Sequence, residues 1–260
     1  MKAMKRWTAL VLAMAMALAL ASCGGGSQSA APAGSGSAAP AASGTAAPAD
    51  DGDPVYGGTF TTYWSEYYNE YDASANDNRN FIDLYCNSLW AVDVDKTDTS
   101  LCETLSVDQL KGSLAESWEV SDDFTTMTVE LRQGVNFADK TAVGIDAKYD
   151  IYGGRALTAA DVKYSYDRVL GLDGVEKVVM DQTDWAGSLY MIDSVEAPDD
   201  QTVIFHFNTN NEVQVNNFMI TVLNICGPEW DQLTDEQKTD YHYAGGTGAF
   251  ILTDYVSDNT

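Results

Sequence analysis

The residues of this 260-residue chain best suited to act as nucleophiles, bases or metal ligands are four cysteines and two histidines. Cys23 has the clearest chemistry. It follows Leu20-Ala21-Ser22, and the stretch resembles the bacterial lipobox. There signal peptidase II cuts before the cysteine, whose thiol accepts a diacylglyceryl group. Of the other thiols, Cys86 and Cys102 would close a short loop if oxidised, worth at most about 3 kcal/mol. Cys226 then stays unpaired, and buried free cysteines are ordinary core residues, so both states remain open. No Cys-x-x-Cys or Cys/His spacing suits zinc. His206 lies in an alternating apolar run and His242 in a polar stretch, and structural roles suit both. Asp93 and Asp95 lack the glycine and terminal glutamate that a calcium loop needs. With no HExxH, G-x-S-x-G or P-loop pattern and no nucleophile–base pair, the sequence predicts no enzyme, no cofactor and no metal.

The elements around these residues begin with a leader. Lys2, Lys5 and Arg6 precede an apolar run from Thr8 to Ala21, shorter than the ~20 residues of a spanning helix. Residues 1–22 therefore read as a lipoprotein signal peptide. Residues 23–53 read as the lipidated cysteine followed by an Ala/Gly/Ser/Pro tether. It lacks large apolar side chains to offset its ordering entropy, and it would span roughly 30 Å as a flexible coil. Cutting before Cys23 removes three bases and no acid, taking the formal charge from −25 to −28. Such a body repels nucleic acid and anionic headgroups, which excludes nucleic acid as a partner; otherwise the charge reads as a solvated acidic surface. The membrane contact expected is the lipid anchor itself, at an extracytoplasmic location.

Folded sequence begins at residue 54. Gly57-Gly58 leads into a predicted strand through Trp64, and the apolar spacing from Asn76 to Trp90 predicts a helix. Met127, Val129 and Leu131 alternate with polar neighbours, predicting a half-buried strand within Thr125 to Phe137. Thr158 to Leu170 reads as a helix with Thr158 at its N-cap, Asp161 three residues on, and Val162, Tyr166 and Val169 as its buried stripe. Met191 to Val195 and Gln201 to Phe207 read as a hairpin around Pro198-Asp199-Asp200. A short surface helix over Thr234 to Tyr243 and a last strand over Phe250 to Val256 complete the series. Interspersed strands and helices give an α/β or α+β class.

Five segments in this order carry a family resemblance. They are Gly57-Gly58-Thr59-Phe60, Leu114-Ala115-Glu116-Ser117-Trp118-Glu119-Val120-Ser121-Asp122-Asp123, Thr128 to Phe137, Leu157-Thr158-Ala159-Ala160-Asp161-Val162-Lys163-Tyr164-Ser165, and Gly246-Thr247-Gly248-Ala249-Phe250. Together the sequence resembles the family 5 extracellular solute-binding proteins of ABC importers, the oligopeptide-, dipeptide- and nickel-binding group. The resemblance implies an α/β, periplasmic-binding-protein-like lobe of class II, cluster C type, with a mixed sheet and flanking helices. Residues 54–260 would form this first lobe, with residues 87–192 a subdomain and the second lobe missing, as though the chain were truncated.

By the same resemblance, the chain after the first strand lines a cleft. Trp64 and Tyr67 would form its walls and Glu66 would meet a ligand ammonium, with Trp185 and Asn224 on other cleft-edge segments. The implied partners are a peptide or other small molecule and the importer's permease. The implied function is a membrane-anchored receptor for oligopeptides or similar solutes; the alternative is an anchored structural or adhesion lipoprotein without a transport role. Two departures stand out. Ala249 replaces the family's usual proline, and Lys140 to Gly154 reads as a surface insertion.

Overall fold

The strongest alternation in the chain becomes the middle of its largest sheet. In the computed structural model, residues 58–61, 71–74, 79–97, 105–177, 189–221 and 223–256 are described. The expected signal peptide, Cys23 and the tether lie outside these residues. The chain divides into two units, Met1–Thr61 and Thr62–Thr260. In the first, residues 58–61 carry no regular ladder and Phe60 is exposed. All named elements belong to the second. Among the described residues no helix is long and apolar enough to cross a membrane.

Strands β1 (Trp90–Val92) and β2 (Leu110–Gly112) form a small antiparallel pair. Strands β3 (Ala115–Val120), β4 (Thr126–Leu131), β5 (Ile192–Glu196) and β6 (Thr202–Phe207) form a sheet in the order β3-β4-β6-β5. Met127 sits opposite Phe205 and Val129 opposite Val203, so both strands turn the same apolar set to one face. Those four side chains are fully buried, while Glu130 faces solvent. The β5–β6 turn is fixed by Asp199, whose Oδ1 accepts from the amides of Gln201 and Thr202, both at 2.8 Å. Every pairing among the described residues is antiparallel. The lobe combines a sheet with flanking helices as expected, but the parallel pairing of a mixed sheet is not found among the described residues.

Helix α1 spans Arg79–Tyr85, α2 Ala159–Leu170, α3 Glu212–Ile220 and α4 Asp235–Lys238. Helix α2 starts and stops as its sequence demands. The Asp161 carboxylate reaches back to the Thr158 amide at 2.9 Å, and Gly171 ends the helix in the left-handed region at φ 71°. Val162, Tyr166 and Val169 are buried against the sheet, with the Tyr166 ring edge-on to Phe205 at 4.9 Å. Helix α3 had no counterpart among the predicted elements. Asn211 caps it by accepting from the Val213 amide at 2.9 Å, and Val215, Phe218 and Met219 are its buried side. Phe218 lies within 6 Å of four rings: Trp90, Tyr166, Phe205 and Phe207.

Three expectations need correction. The helix read over 76–90 is described from Arg79 to Tyr85, residues 76–78 lying outside the described ones; it stops at Tyr85, and Trp90, read as its last residue, begins β1. The strand read over 250–256 has no ladder. The chain approaching it is instead committed to the end of α1, where the Gly248 amide donates to Tyr85 O (2.9 Å) and the Phe250 amide to Leu84 O (3.1 Å). These are carbonyls that a helix end leaves unpaired. Finally, the 140–154 segment is no mere surface insertion. It forms two short 3-10 turns, Lys140–Val143 and Ala147–Tyr149, and buries both Lys140 and Tyr152. Tyr152 stacks on Phe137 with centroids 4.1 Å apart.

The Gly-Thr-Gly segment explains its own composition. A Cβ on Gly248 would fall 2.6 Å from Tyr85 Cα and 2.5 Å from its carbonyl carbon, both backbone atoms that cannot swing aside. Gly248→Ala is expected to destabilise the lobe by about 1–3 kcal/mol through this overpacking. Urea unfolding monitored by tryptophan fluorescence checks it, and an unchanged midpoint would show that the segment is not seated on α1.

Candidate ligand site

Helix α1 ends beside a small concavity. Asp83 comes from the helix, Cys86, Asn87 and Ser88 from the link to β1, and Trp90, Ala91 and Val92 from the strand itself; Ser113 and Asn224 complete the lining. Its volume is about 300 Å³. The link is held on several sides. Thr247 Oγ1 donates to Asn87 Oδ1 at 3.1 Å, the Ile225 amide donates to Asn87 O at 2.9 Å, and Ser88 Oγ donates to Trp90 O at 2.6 Å.

Asn224 is buried at 3% exposure. Its Nδ2 donates to Asp83 Oδ1 at 2.9 Å, while its Oδ1 is buried with no partner. Trp90, 4% exposed, lines the same concavity, and its Nε1 is likewise unpartnered. Cys86 is a buried free thiol at the rim, with Sγ directed to Gly245 O at 3.7 Å. Burial pushes that thiol well above its ordinary range, with Cys226 and acidic neighbours adding to the effect, so it is a poor nucleophile. Cys102, considered as its disulfide partner, lies outside the described residues. Cys226 is also a buried free thiol, pushed up to about 11 by burial.

Of the residues expected to line a cleft, Asn224 alone is described. Trp64, Glu66, Tyr67 and Trp185 lie outside the described residues. Sequence reasoning passed over Asp83, Asn87 and Trp90. The available signal was a polar Asn87-Ser88 pair wedged between an apolar helix and an apolar strand.

A larger concavity of about 520 Å³ lies elsewhere, lined in part by Asp72, Tyr164, Arg168, Asp231 and Lys238. Its most buried cation is already committed. Arg168, 1% exposed, grips Asp72 with Nη1–Oδ1 at 2.8 Å and Nη2–Oδ2 at 2.5 Å, and Asp231 with Nε–Oδ2 at 2.7 Å. Trp230 Nε1 donates to the same Asp72 at 3.0 Å, and Tyr164 OH donates to Asp231. Arg155 is used the same way. Its fork joins Asp161 (2.7 and 2.9 Å) to Glu229 (2.6 and 2.8 Å) while lying 4.6 Å over the Phe137 ring. These are clamps between distant parts of the chain. The histidines also have structural neighbours: His206 Nε2 meets Glu196 at 3.1 Å, and His242 stacks on Tyr241 and Tyr149. No cluster of His, Cys, Asp or Glu among the described residues suits a metal ion.

Helices packed on an antiparallel sheet, arginine clamps between distant segments and a polar recess beside α1 define the lobe. The chain belongs to the bacterial extracellular solute-binding proteins, family 5, whose middle region matches residues 109–260. It is 27% identical over 156 residues to heme-binding protein A of Haemophilus influenzae, covering 57% of this chain and 27% of that one. The structure of HbpA2 from Haemophilus parasuis superposes with a TM-score of 0.52 at 24% identity, over 73% of this chain and 36% of that one. The periplasmic binding protein DppA of Helicobacter pylori, in complex with a peptide, gives a TM-score of 0.51 at 21% identity, over 72% and 34%. These two structures establish the fold. The chain spans between about a quarter and about a third of these relatives' lengths.

Proposed function

We propose that this chain is the membrane-anchored first lobe of an extracytoplasmic receptor that captures oligopeptides or similar small solutes and delivers them to an ABC importer. The observation that carries the reading is membership of a solute-binding family, matched over residues 109–260. The recess beside α1 is consistent with it, because its lining offers hydrogen-bonding groups held in place by packing and no paired nucleophile and base. Capture would proceed by closure of two lobes on the solute, a population shift in which no bond is made or broken. Trp64, Glu66, Tyr67 and Trp185 are proposed as the cleft residues contributed from outside the described segments, with Asn224 inside them.

Cys23 is proposed as the point of attachment. Two acyl chains, at ~0.8 kcal/mol for each buried methylene, hold the body at the outer face of the cell membrane without a spanning helix. Residues 24–53 then act as a tether, and the acidic body stays clear of anionic headgroups.

Two measurements test this. Radiolabelled palmitate fed to a bacterial host should label the protein, and Cys23→Ala should abolish the label; equal labelling of both removes the anchor. Calorimetry on protein expressed from its whole reading frame should show saturable heat with at least one member of an oligopeptide panel. Silence towards peptides, sugars and chelated nickel alike would overturn the receptor reading and favour an anchored structural lipoprotein.

A further inference from the structure

His242 is gripped twice by one distant segment. Lys140 Nζ donates to its carbonyl at 2.6 Å, and the Tyr149 ring stacks on its imidazole with centroids 4.5 Å and planes 20° apart. The Tyr241 ring also stacks on the imidazole, at 4.0 Å and 27°. Two phenol rings this close and this nearly parallel would overlap on one face, so the imidazole lies between them. Asp240 Oδ1 meets Nδ1 at 2.6 Å and accepts the His242 amide at 3.0 Å. A carboxylate only accepts, so Nδ1 carries a proton in both charge states and Nε2 is the atom that titrates.

A protonated ring here is a cation between two π faces and beside a carboxylate; a neutral ring keeps the packing and loses both attractions. The other groups around it do not reverse that sign. Lys148 lies 4.6 Å over the Tyr149 ring, but Asp146 pairs with it at 3.5 Å. Lys140 approaches from the carbonyl side and is itself drawn by Asp150 and Asp240. Tyr241 OH donates to Asp254 at 3.5 Å, and Tyr243, edge-on to Tyr149 at 5.1 Å, accepts from Gln237 of α4 at 3.0 Å. The nearest charge is the Asp240 carboxylate, so protonation tightens the stack. Carboxylates ordinarily titrate near ~4 and tyrosines near ~10. Burial brings Lys140 down only to about 8. Among these groups the imidazole is therefore the one that changes charge between pH ~5.5 and ~7.

We propose that His242 is a pH-sensitive latch joining the 140–154 segment to the turn that precedes Gly246-Thr247-Gly248. When protonated it holds the Ala147–Tyr149 turn against the Tyr241–Tyr243 turn. When neutral it lets the first turn detach while the rest of the lobe stays folded. The side that stays is the better anchored. Ala244 is buried, Gly246 O accepts from the Ala138 amide at 2.9 Å, and Gly248 is seated on α1. The Ala147–Tyr149 turn is exposed at Ala147 and Lys148, and its own backbone bonds are local, Tyr149 N to Asp146 O and Asp150 N to Ala147 O.

The test is a double-mutant cycle of Tyr149→Leu and His242→Gln in the chain, read by urea unfolding at pH ~5.5 and ~7.3. The coupling between the two positions should be about fivefold larger, as a ratio of unfolding constants, at the lower pH; that is the value of a cation on a part-exposed ring. Equal coupling at both pH values overturns the latch, since packing alone carries no such dependence. Detachment is read by trypsin cleavage after Lys148, taken relative to a free peptide of the same local sequence. The relative rate should rise about fivefold from the lower pH to the higher, and His242→Gln should abolish the rise. No rise, or an equal rise in the variant, overturns the proposal. Asp240→Asn keeps the cap acceptor and both rings, so it separates charge from packing. It should at least halve the pH response, and an undiminished response would show that the carboxylate and the imidazole are not paired.

Discussion

Arg168→Leu is expected to destabilise the lobe by about 3–5 kcal/mol, the cost of removing one partner from a buried ion network. The guanidinium is 1% exposed and ties two carboxylates that are far apart in sequence, Asp72 before α1 and Asp231 after α3. Without it, Asp72 keeps the Trp230 indole and Asp231 keeps Tyr164 and Lys238, but neither keeps its buried cation. Adding Asp72→Asn and Asp231→Asn to the Arg168 variant should recover part of the loss, because neutral amides cost less to bury than orphaned charges. Arg168→Lys should fall between, keeping the charge and losing the two-pronged geometry. Urea denaturation of the four proteins checks the order, and a loss under 1 kcal/mol for Arg168→Leu would mean that water already reaches the network.

The same network predicts an acid limb. Burial would raise the Asp231 carboxyl, but hydrogen bonds from Arg168 and Tyr164 outweigh it and hold the group down at about 2. A folded value below the unfolded one gives stability that is present in full above pH ~4 and lost as pH falls through about 2. Allowing for its exposed side, the contribution is about 1–2 kcal/mol, and in the Arg168→Leu protein, where only Tyr164 and Lys238 remain, it should shrink.

How far the sequence disclosed this arrangement follows from the range of each signal. Helix α2 was legible in full because its cap, stripe and stop are local: Thr158, Asp161, Val162 and Gly171 lie within one segment. The β5–β6 hairpin was legible for the same reason. What Asp161 does besides capping was not legible, because Arg155 shares its fork with Glu229, 74 residues away, and no local pattern marks such a pair. The site divides along the same line. Asn224 could be placed by family likeness, whereas its dependence on Asp83 crosses 141 residues and emerges only in the fold. The strand read over 250–256 failed where β-rich composition met a different tertiary demand, the unpaired carbonyls of α1. The 140–154 segment misled in the opposite sense, since its Lys, Asp and Gly content reads as solvated while the packing buries Lys140 and Tyr152.

Lys140 also gives the second large effect, in the alkaline range. The side chain is 2% exposed and donates from Nζ to His242 O at 2.6 Å. Burial pushes the ammonium down to about 8, against the pull of Asp150 and Asp240. Below pH 8 the group is charged in both folded and unfolded chains, and the folded state bears the cost of burying that charge. Between about 8 and its ordinary value of ~10.4 the unfolded chain still binds a proton that the folded one has released, so this residue makes stability rise with pH. The full step is about 3 kcal/mol. Buried tyrosines and cysteines such as Tyr85, Tyr152 and Cys86 act oppositely, since burial holds them neutral while the unfolded chain ionises. Comparison with Lys140→Met removes their shared contribution. The variant's stability relative to the parent should drop by about 3 kcal/mol from pH 7 to pH 11, and a difference that stays constant would show that Lys140 titrates as a solvated lysine. The effect bears on the site because Lys140 packs beside Gly245, the residue before the segment that caps α1 and braces Asn87.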